Sequence, residues 1–310
     1  MSVLYPADVP ERARQITESI LGGPIPDEAE LTAGARVDPG RTYGFFTDST
    51  LCIGCKACEV ACKEWNLLPA DHLGLTGHSY DNTSQLSATT WRHVAFVEQN
   101  QNSWLMLSDV CKHCARAACL EACPTGALFR TEFGTVVVQQ DICNGCGYCV
   151  PACPFGVVEL DLNDGKAHKC TLCYDRLKGG LEPACAKACP TNSIQFGPLD
   201  ELEARARRRV DVLHQQGVPN AFLYGAPEAP GGPPLPLGEG WGEGSPGATG
   251  GIRDLHAFFL LTERPEIYNL PAAPTLPSKR VAPGLLAGLA TVAGVALAAA
   301  AAFGAGGRRG

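Results

Sequence analysis

No cysteine occurs in the first 51 residues of this 310-residue chain or in its last 121, and no basic patch accompanies the net charge of −7. The missing basic patch argues against a nucleic-acid binder. There is no Gly-rich nucleotide loop, no nucleophile elbow and no His-Glu-x-x-His segment, so none of those chemistries is encoded. The opening Met1–Pro6 lacks the basic region and apolar stretch of a secretory signal. Arg12 and Arg14 are split by Ala13 and precede no hydrophobic run, so no twin-arginine signal is read there. With 35 Gly and 24 Pro, long regular elements are not expected over much of the chain.

Sixteen cysteines are present, all between Cys52 and Cys189. They fall into four quartets. The first is Cys52-x2-Cys55-x2-Cys58-x3-Cys62, and the second Cys111-x2-Cys114-x4-Cys119-x3-Cys123. The third is Cys143-x2-Cys146-x2-Cys149-x3-Cys153, and the fourth Cys170-x2-Cys173-x11-Cys185-x3-Cys189. Pro124, Pro154 and Pro190 follow the last three quartets, whereas Lys63 follows the first. A disulfide framework suits short secreted chains. Structural zinc uses two separated cysteine pairs, not four consecutive thiolates with a trailing proline. Iron–sulfur cubanes of the 4Fe–4S type suit the pattern: a tight loop wraps three corners, and a fourth thiolate three residues on starts a helix pointing away to a second cluster. Thiolate is the ligand type such iron binds strongly. Gly54, Gly145 and Gly147 relax the loops and free N–H groups to face cluster sulfur.

Four clusters make two pairs. Adjacent quartets pair most simply as Cys111, Cys114, Cys119 with Cys153, and Cys143, Cys146, Cys149 with Cys123. The outer quartets then give Cys52, Cys55, Cys58 with Cys189, and Cys170, Cys173, Cys185 with Cys62. The alternative joins the first quartet to the second and the third to the fourth. Either way, four one-electron centres within about 140 residues form a wire, and no catalytic residue is assigned. Two further residues stand near the cysteines. His113, inside Cys-Lys-His-Cys, is read as a supporting dipole or path residue rather than a ligand. Lys169, beside Cys170, is read either as an aid to transfer or as a solvated side chain.

The fold class expected is α+β: tandem bacterial ferredoxin-like 4Fe–4S domains with loop insertions and a C-terminal transmembrane helix. Residues 1–42 are an extension, with a short helix over Pro10–Leu21. Residues 43–200 hold the four-cluster region, begun by a strand at Tyr43–Asp48 and interrupted by an insertion at 63–110 with strands at Trp91–Val97 and Trp104–Leu107. Hairpins are expected from 128–130 with 136–138, and from 157–162 with 166–169 around Asn163-Asp164-Gly165. Residues 201–224 are a helix and tail: Leu202, Ala206, Val210 and Leu213 share one face, and Arg205, Arg207, Arg208 and Arg209 solvate the other. Residues 225–251 are a Pro/Gly-rich linker and 252–280 a tail segment. The apolar run 281–304 carries no charge and is long enough to cross a bilayer. Lys279 and Arg280 flank one end and Arg308 and Arg309 the other, and Gly284 and Gly288 permit close helix packing.

The four quartets, with their x4 and x11 spacings, resemble the four-cluster subunits that serve molybdopterin oxidoreductases. Narrower segments resemble the iron–sulfur (beta) subunit of membrane-bound molybdenum or tungsten formate dehydrogenases: Cys58–Asn66, Thr76–Thr83, Trp91–Phe96, Gly217–Gly225 and Pro265–Tyr268. All sixteen cysteines are kept, unlike the nitrate reductase relatives, where one ligand is replaced. The Pro/Gly-rich stretch 226–251 departs from the family pattern. The resemblance implies the nested pairing of inner and outer quartets. It implies an electron-transfer subunit that is not itself catalytic, with a molybdopterin-containing catalytic subunit as donor. The acceptor it implies is a membrane quinone-reducing subunit, a cytochrome b or a polysulfide-reductase-like protein. The place implied is the cell membrane, single-pass in lipid, with the cluster region on the extracytoplasmic face by co-export with the catalytic subunit. The alternative is the same wire for a hydrogenase or another molybdopterin oxidoreductase.

Overall fold

The computed structural model describes residues 37–70, 74, 77, 80, 81, 83–99, 103–226, 254–272, 274–277, 288–296, 298 and 299. The helix expected over Pro10–Leu21 and nearly all of the linker lie outside these residues. Two compact units are present, Met1–Pro274 and Thr275–Gly310.

In the first unit the strands are β1 (Tyr43–Asp48), β2 (Arg92–Gln99), β3 (Ser103–Val110), β4 (Leu128–Arg130), β5 (Val136–Val138), β6 (Glu159–Leu160), β7 (Ala167–His168), β8 (Ile194–Pro198), β9 (Phe222–Tyr224) and β10 (Ala257–Leu261). The helices are α1 (Ala57–Asn66), α2 (Ala118–Glu121), α3 (Cys149–Ala152), α4 (Tyr174–Lys178), α5 (Ala184–Lys187) and α6 (Leu199–Gln215).

The organising element is β1, whose six residues are all buried. A strand's side chains alternate between faces, so burial throughout means that both faces are covered. Phe46 stacks on Phe258 at 5.5 Å and joins Leu202, Ala206, Val210 and Leu213 of α6 in one core. Tyr43 and Phe45 belong to the other core, with Phe133 and the buried cysteines. The strand order is β8-β1-β10-β9, with β1 antiparallel to β8 and parallel to β10. The sequence marked β1 but assigned no element to Ala257–Leu261, and this strand from the tail segment sits in the middle of the sheet. The backbone carbonyl of Lys112, in the second cysteine loop, accepts from Ala257 N–H at 3.0 Å and ties β10 to that loop.

The apolar stripe of α6 faces the sheet as its spacing predicts, each large side chain contributing roughly 1.5–3 kcal/mol on full burial. Its arginines differ from expectation. Arg208 is exposed, but Arg205 donates to Gln195 Oε1 at 2.9 Å, Arg207 pairs with Glu203 at 2.7 Å, and Arg209 is buried against Asp48. Arg209 neighbours Val210 on the helix, so it reaches the edge of the apolar face and finds a carboxylate there.

Among the described residues, three antiparallel hairpins accompany this sheet. β2–β3 forms the arm of the insertion, longer than either strand expected from sequence. β4–β5 spans the expected residues, paired Leu128↔Val138 to Arg130↔Val136. β6–β7 has only two residues in each strand, because Asp161 to Gly165 close a turn through Gly165 N–H to Asp161 O at 2.8 Å and Asn163 N–H to Asp161 Oδ1 at 2.8 Å. The insertion is fastened to α1 by buried Glu59, which accepts from Val94 N–H and from Lys56 at 2.9 Å. Asp81 reinforces the join, meeting Lys56 at 3.0 Å and His93 at 2.5 Å.

In the second unit, residues 288–296, 298 and 299 are helical, with Leu289, Val292 and Val295 exposed. No helix among the described residues is long and apolar enough to cross a membrane; residues 281–287, 297 and 300–304 of the expected span lie outside them.

Candidate metal centres

All four quartets share one local device. The residue before the second cysteine has a left-handed backbone: Gly54 at φ 67°, His113 at 43°, Gly145 at 72° and Leu172 at 57°. A left-handed residue tightens the turn between the first two thiols, at a cost for any residue with a Cβ. Gly145 shows why the residue matters: a Cβ there would sit 2.3 Å from the Gly165 carbonyl oxygen. At Gly54 a Cβ would meet the Phe96 ring at 2.7 Å. The third and fourth cysteines of each quartet lie on or beside a helical turn: Cys58 and Cys62 within α1, Cys119 and Cys123 around α2, Cys149 and Cys153 at α3, Cys185 and Cys189 at α5.

The fold gathers the sixteen thiols into four groups. In site I, Cys52, Cys55, Cys58 and Cys189 line one pocket. In site II, Cys62 lies among Cys170, Cys173 and Cys185; burial, then these thiols, push it far above the ordinary thiol range. In site III, Cys114 is pushed up by burial and then by Cys111, Cys153 and Cys119. In site IV, Cys123, Cys143, Cys146 and Cys149 line a second pocket, and burial with the neighbouring thiols raises Cys149 to about 11. Neighbouring sites lie within electrostatic reach of one another. Cys58 feels Cys185, Cys170 feels Cys111, and Cys119 feels Cys149, so I to IV form a row.

These donors fit an iron–sulfur cluster. Thiolates crowded in a buried space repel one another and lose hydration, so the charged form is costly without a compensating cation. Backbone N–H groups point at sulfur as well: Leu172 N–H at Cys170 Sγ, 3.3 Å, and Ile194 N–H at Cys189 Sγ, 3.5 Å. Asn66 Nδ2 lies 3.6 Å from Cys62 Sγ.

The sequence comparisons agree with this geometry. Models of the 4Fe-4S dicluster domain match residues 51–127 and 102–199. The formate dehydrogenase iron–sulfur subunit of Haemophilus influenzae is 38% identical over 236 residues, covering 74% of this chain and 68% of that protein. The chain belongs to the formate dehydrogenase iron–sulfur subunits. The formate dehydrogenase-O iron–sulfur subunit of Escherichia coli is 46% identical over 181 residues, 57% of this chain and 60% of that one. The B subunit of the Escherichia coli anaerobic dimethyl sulfoxide reductase is 39% identical over 163 residues, 53% of this chain and 77% of that one. The chain therefore spans about two thirds of the length of the formate dehydrogenase relatives it matches. The tandem, ferredoxin-like 4Fe–4S dicluster region of this iron–sulfur subunit combines short helices with strands.

The two polar residues singled out beside the cysteines are both buried in this iron–sulfur subunit. His113 Nδ1 accepts from Val136 N–H at 3.0 Å, which anchors the second cysteine loop to β5. Burial, then Lys169, hold its pKa well below the usual imidazole value, so it stays neutral. Lys169 is not solvated: it is 2% exposed and donates to the carbonyls of Val136 and Cys170. Burial works against its charge, but Cys111, Cys119 and Cys170 outweigh it and raise its pKa.

Sequence reasoning gave no role to Arg92, Ser108 or Lys112, all 1% exposed. One signal was there for Arg92: it falls in step with Val94 and Phe96, an arginine on the apolar register of a strand. Lys112 pairs with Asp109 and lies over the rings of Phe155 and Phe259, at 5.2 and 5.4 Å.

Proposed function

We propose that this chain is the electron-transfer subunit of a formate dehydrogenase complex, with sites I to IV each holding one 4Fe–4S cluster. The observation that carries the reading is the row of four four-thiol groups in a chain of this family. Such clusters, when bound, take up and release single electrons at potentials tuned by their surroundings. The sixteen cysteines hold them, the left-handed loop residues close the turns, and the buried side chains of the core that contains the cysteines exclude water between neighbouring sites. The donor is a molybdopterin-containing catalytic subunit that oxidises formate. The acceptor is a quinone-reducing membrane subunit, either a cytochrome b or a polysulfide-reductase-like protein.

Residues 281–304 form a single membrane-spanning helix in this reading. An uncharged run of 24 residues with basic residues at both ends supports it, as do the outward-facing Leu289, Val292 and Val295. The cluster region lies on the extracytoplasmic face, carried there with the catalytic subunit.

The test is low-temperature EPR of the complex, isolated anaerobically from native membranes, before and after formate. Reduction of four interacting 4Fe–4S clusters by formate is expected. Clusters that reduce with dithionite but ignore formate would remove the formate assignment. The match to the B subunit of a dimethyl sulfoxide reductase favours a second reading, the same wire serving another molybdopterin oxidoreductase. In that case a sulfoxide reoxidises the dithionite-reduced clusters and formate does not reduce them.

A further inference from the structure

Arg92 is 1% exposed, and among the described residues it forms no ion pair with a carboxylate. Its guanidinium lies 4.7 Å from the centre of the Phe45 ring. Nη2 donates to Cys185 Sγ at 3.3 Å. Nη1 donates to the Ser108 carbonyl at 3.2 Å and meets Ser108 Oγ at 3.3 Å. Ser108 Oγ in turn lies 3.3 Å from Cys58 Sγ, and Ser108 is itself 1% exposed. A continuous polar bridge therefore runs from a thiol of site I, through Ser108 and Arg92, to a thiol of site II.

A buried guanidinium without a carboxylate is costly unless other negative charge faces it. Here that charge is the sulfur of two sites. Arginine stays protonated under all ordinary conditions, so the positive charge is permanent. Each electron that enters a site adds negative charge, and a fixed cation in a poorly screened interior favours that added charge. Hydrogen bonds to thiolate sulfur act in the same direction.

Resting on the reading that sites I and II each hold a cluster, we propose that Arg92, with Ser108 as its arm, is a positioning residue that raises the reduction potentials of these two adjacent sites together. It links them as one electrostatic unit at one end of the row. Sites III and IV lie beyond its hydrogen bonds.

The experiment is an EPR-monitored redox titration of the purified complex carrying Arg92→Gln, Arg92→Lys or Ser108→Ala, with iron and sulfide content measured alongside. Arg92→Gln is expected to move the midpoints of sites I and II to more negative potential and leave III and IV in place. Arg92→Lys, which keeps the charge and loses the forked contacts, gives a smaller shift. Ser108→Ala shifts site I more than site II. Arg92→Gln with full iron content and four unchanged midpoints overturns the proposal. If Arg92→Gln does not assemble, Ser108→Ala decides, and an unmoved site I midpoint is then the negative result. An unaltered complex without 4Fe–4S signals would instead overturn the four-cluster reading itself.

Discussion

Arg209 Nε donates to Asp48 Oδ2 at 2.8 Å, joining α6 to the end of β1 with the two side chains 6% and 0% exposed. The same carboxylate accepts from Thr50 N–H at 2.9 Å and Thr50 Oγ1 at 2.6 Å, capping the 3-10 turn Ser49–Leu51 that delivers Cys52. One buried pair thus connects the sheet, the helix and the first cysteine loop.

Removing Arg209 leaves the Asp48 charge buried and unpaired. Arg209→Met is expected to cost about 3–5 kcal/mol, whereas Glu203→Gln, which breaks an i,i+4 pair with Arg207, costs about 0.5 kcal/mol. Denaturation midpoints of the two variants check the contrast. Equal losses would show that the buried pair contributes nothing beyond a surface one.

Cys62 separates the two possible pairings. Cys62→Ala is expected to abolish the same EPR signal as Cys173→Ala, because Cys62 lies with Cys170, Cys173 and Cys185. If it abolishes the signal lost in Cys114→Ala instead, the first quartet pairs with the second and the nested order is wrong.

Gly145→Ala forces a Cβ into the Gly165 carbonyl at a left-handed position. The loop must open, and site IV is the one affected. The expected result is loss of one cluster's iron with the signals of the other three retained; full iron content would show that the β6–β7 turn yields easily.

His256 provides a pH test. Burial, and then Arg130, push its imidazole down to about 4, against the raising effect of its hydrogen bond to the Gly134 carbonyl at 3.0 Å. The unfolded value is about 6.5, so the unfolded chain binds the extra proton between these limits. The contribution of neutral His256 is fully present above about pH 6.5 and is lost as pH falls toward about 4, up to about 3 kcal/mol in all. His256→Gln is expected to flatten the stability profile in that window. Parallel profiles for the two proteins would assign the slope to other groups.

A chain ended after Pro277 tests the membrane anchor. It is expected to retain its cluster absorption but to leave the membrane fraction when produced without the membrane subunit. Continued sedimentation with membranes would place the attachment elsewhere in the chain.

Much of the site was legible because cysteine spacing is a local property. Three thiols within about seven residues, as in Cys52 to Cys58, can be brought to one centre by a turn, and a fourth set one helical turn later is carried away from it. The β4–β5 hairpin and the apolar face of α6 were legible for the same reason: two short segments flanking Glu132-Phe133-Gly134, and an apolar period of about 3.6 residues, appear directly in short windows.

Which quartets share sites was not a local matter. From the residues alone the nested pairing was the simpler one, with the first quartet joined to the second left open as the alternative, and the packing of α1 against α5 brings Cys62 to Cys170, Cys173 and Cys185. β10 gave no sign of its place because an apolar stretch such as Ala257–Leu261 reads the same in any core; its position between β1 and β9 depends on contacts across some 200 residues of chain. Arg92 and Arg209 carry the same lesson. The sequence alone determined that sixteen thiols in four quartets are present, with the loop geometry suited to hold iron and sulfur. Tertiary structure decided which buried cations face which sulfur and carboxylate, because a charge enters an interior only where distant segments supply its partner.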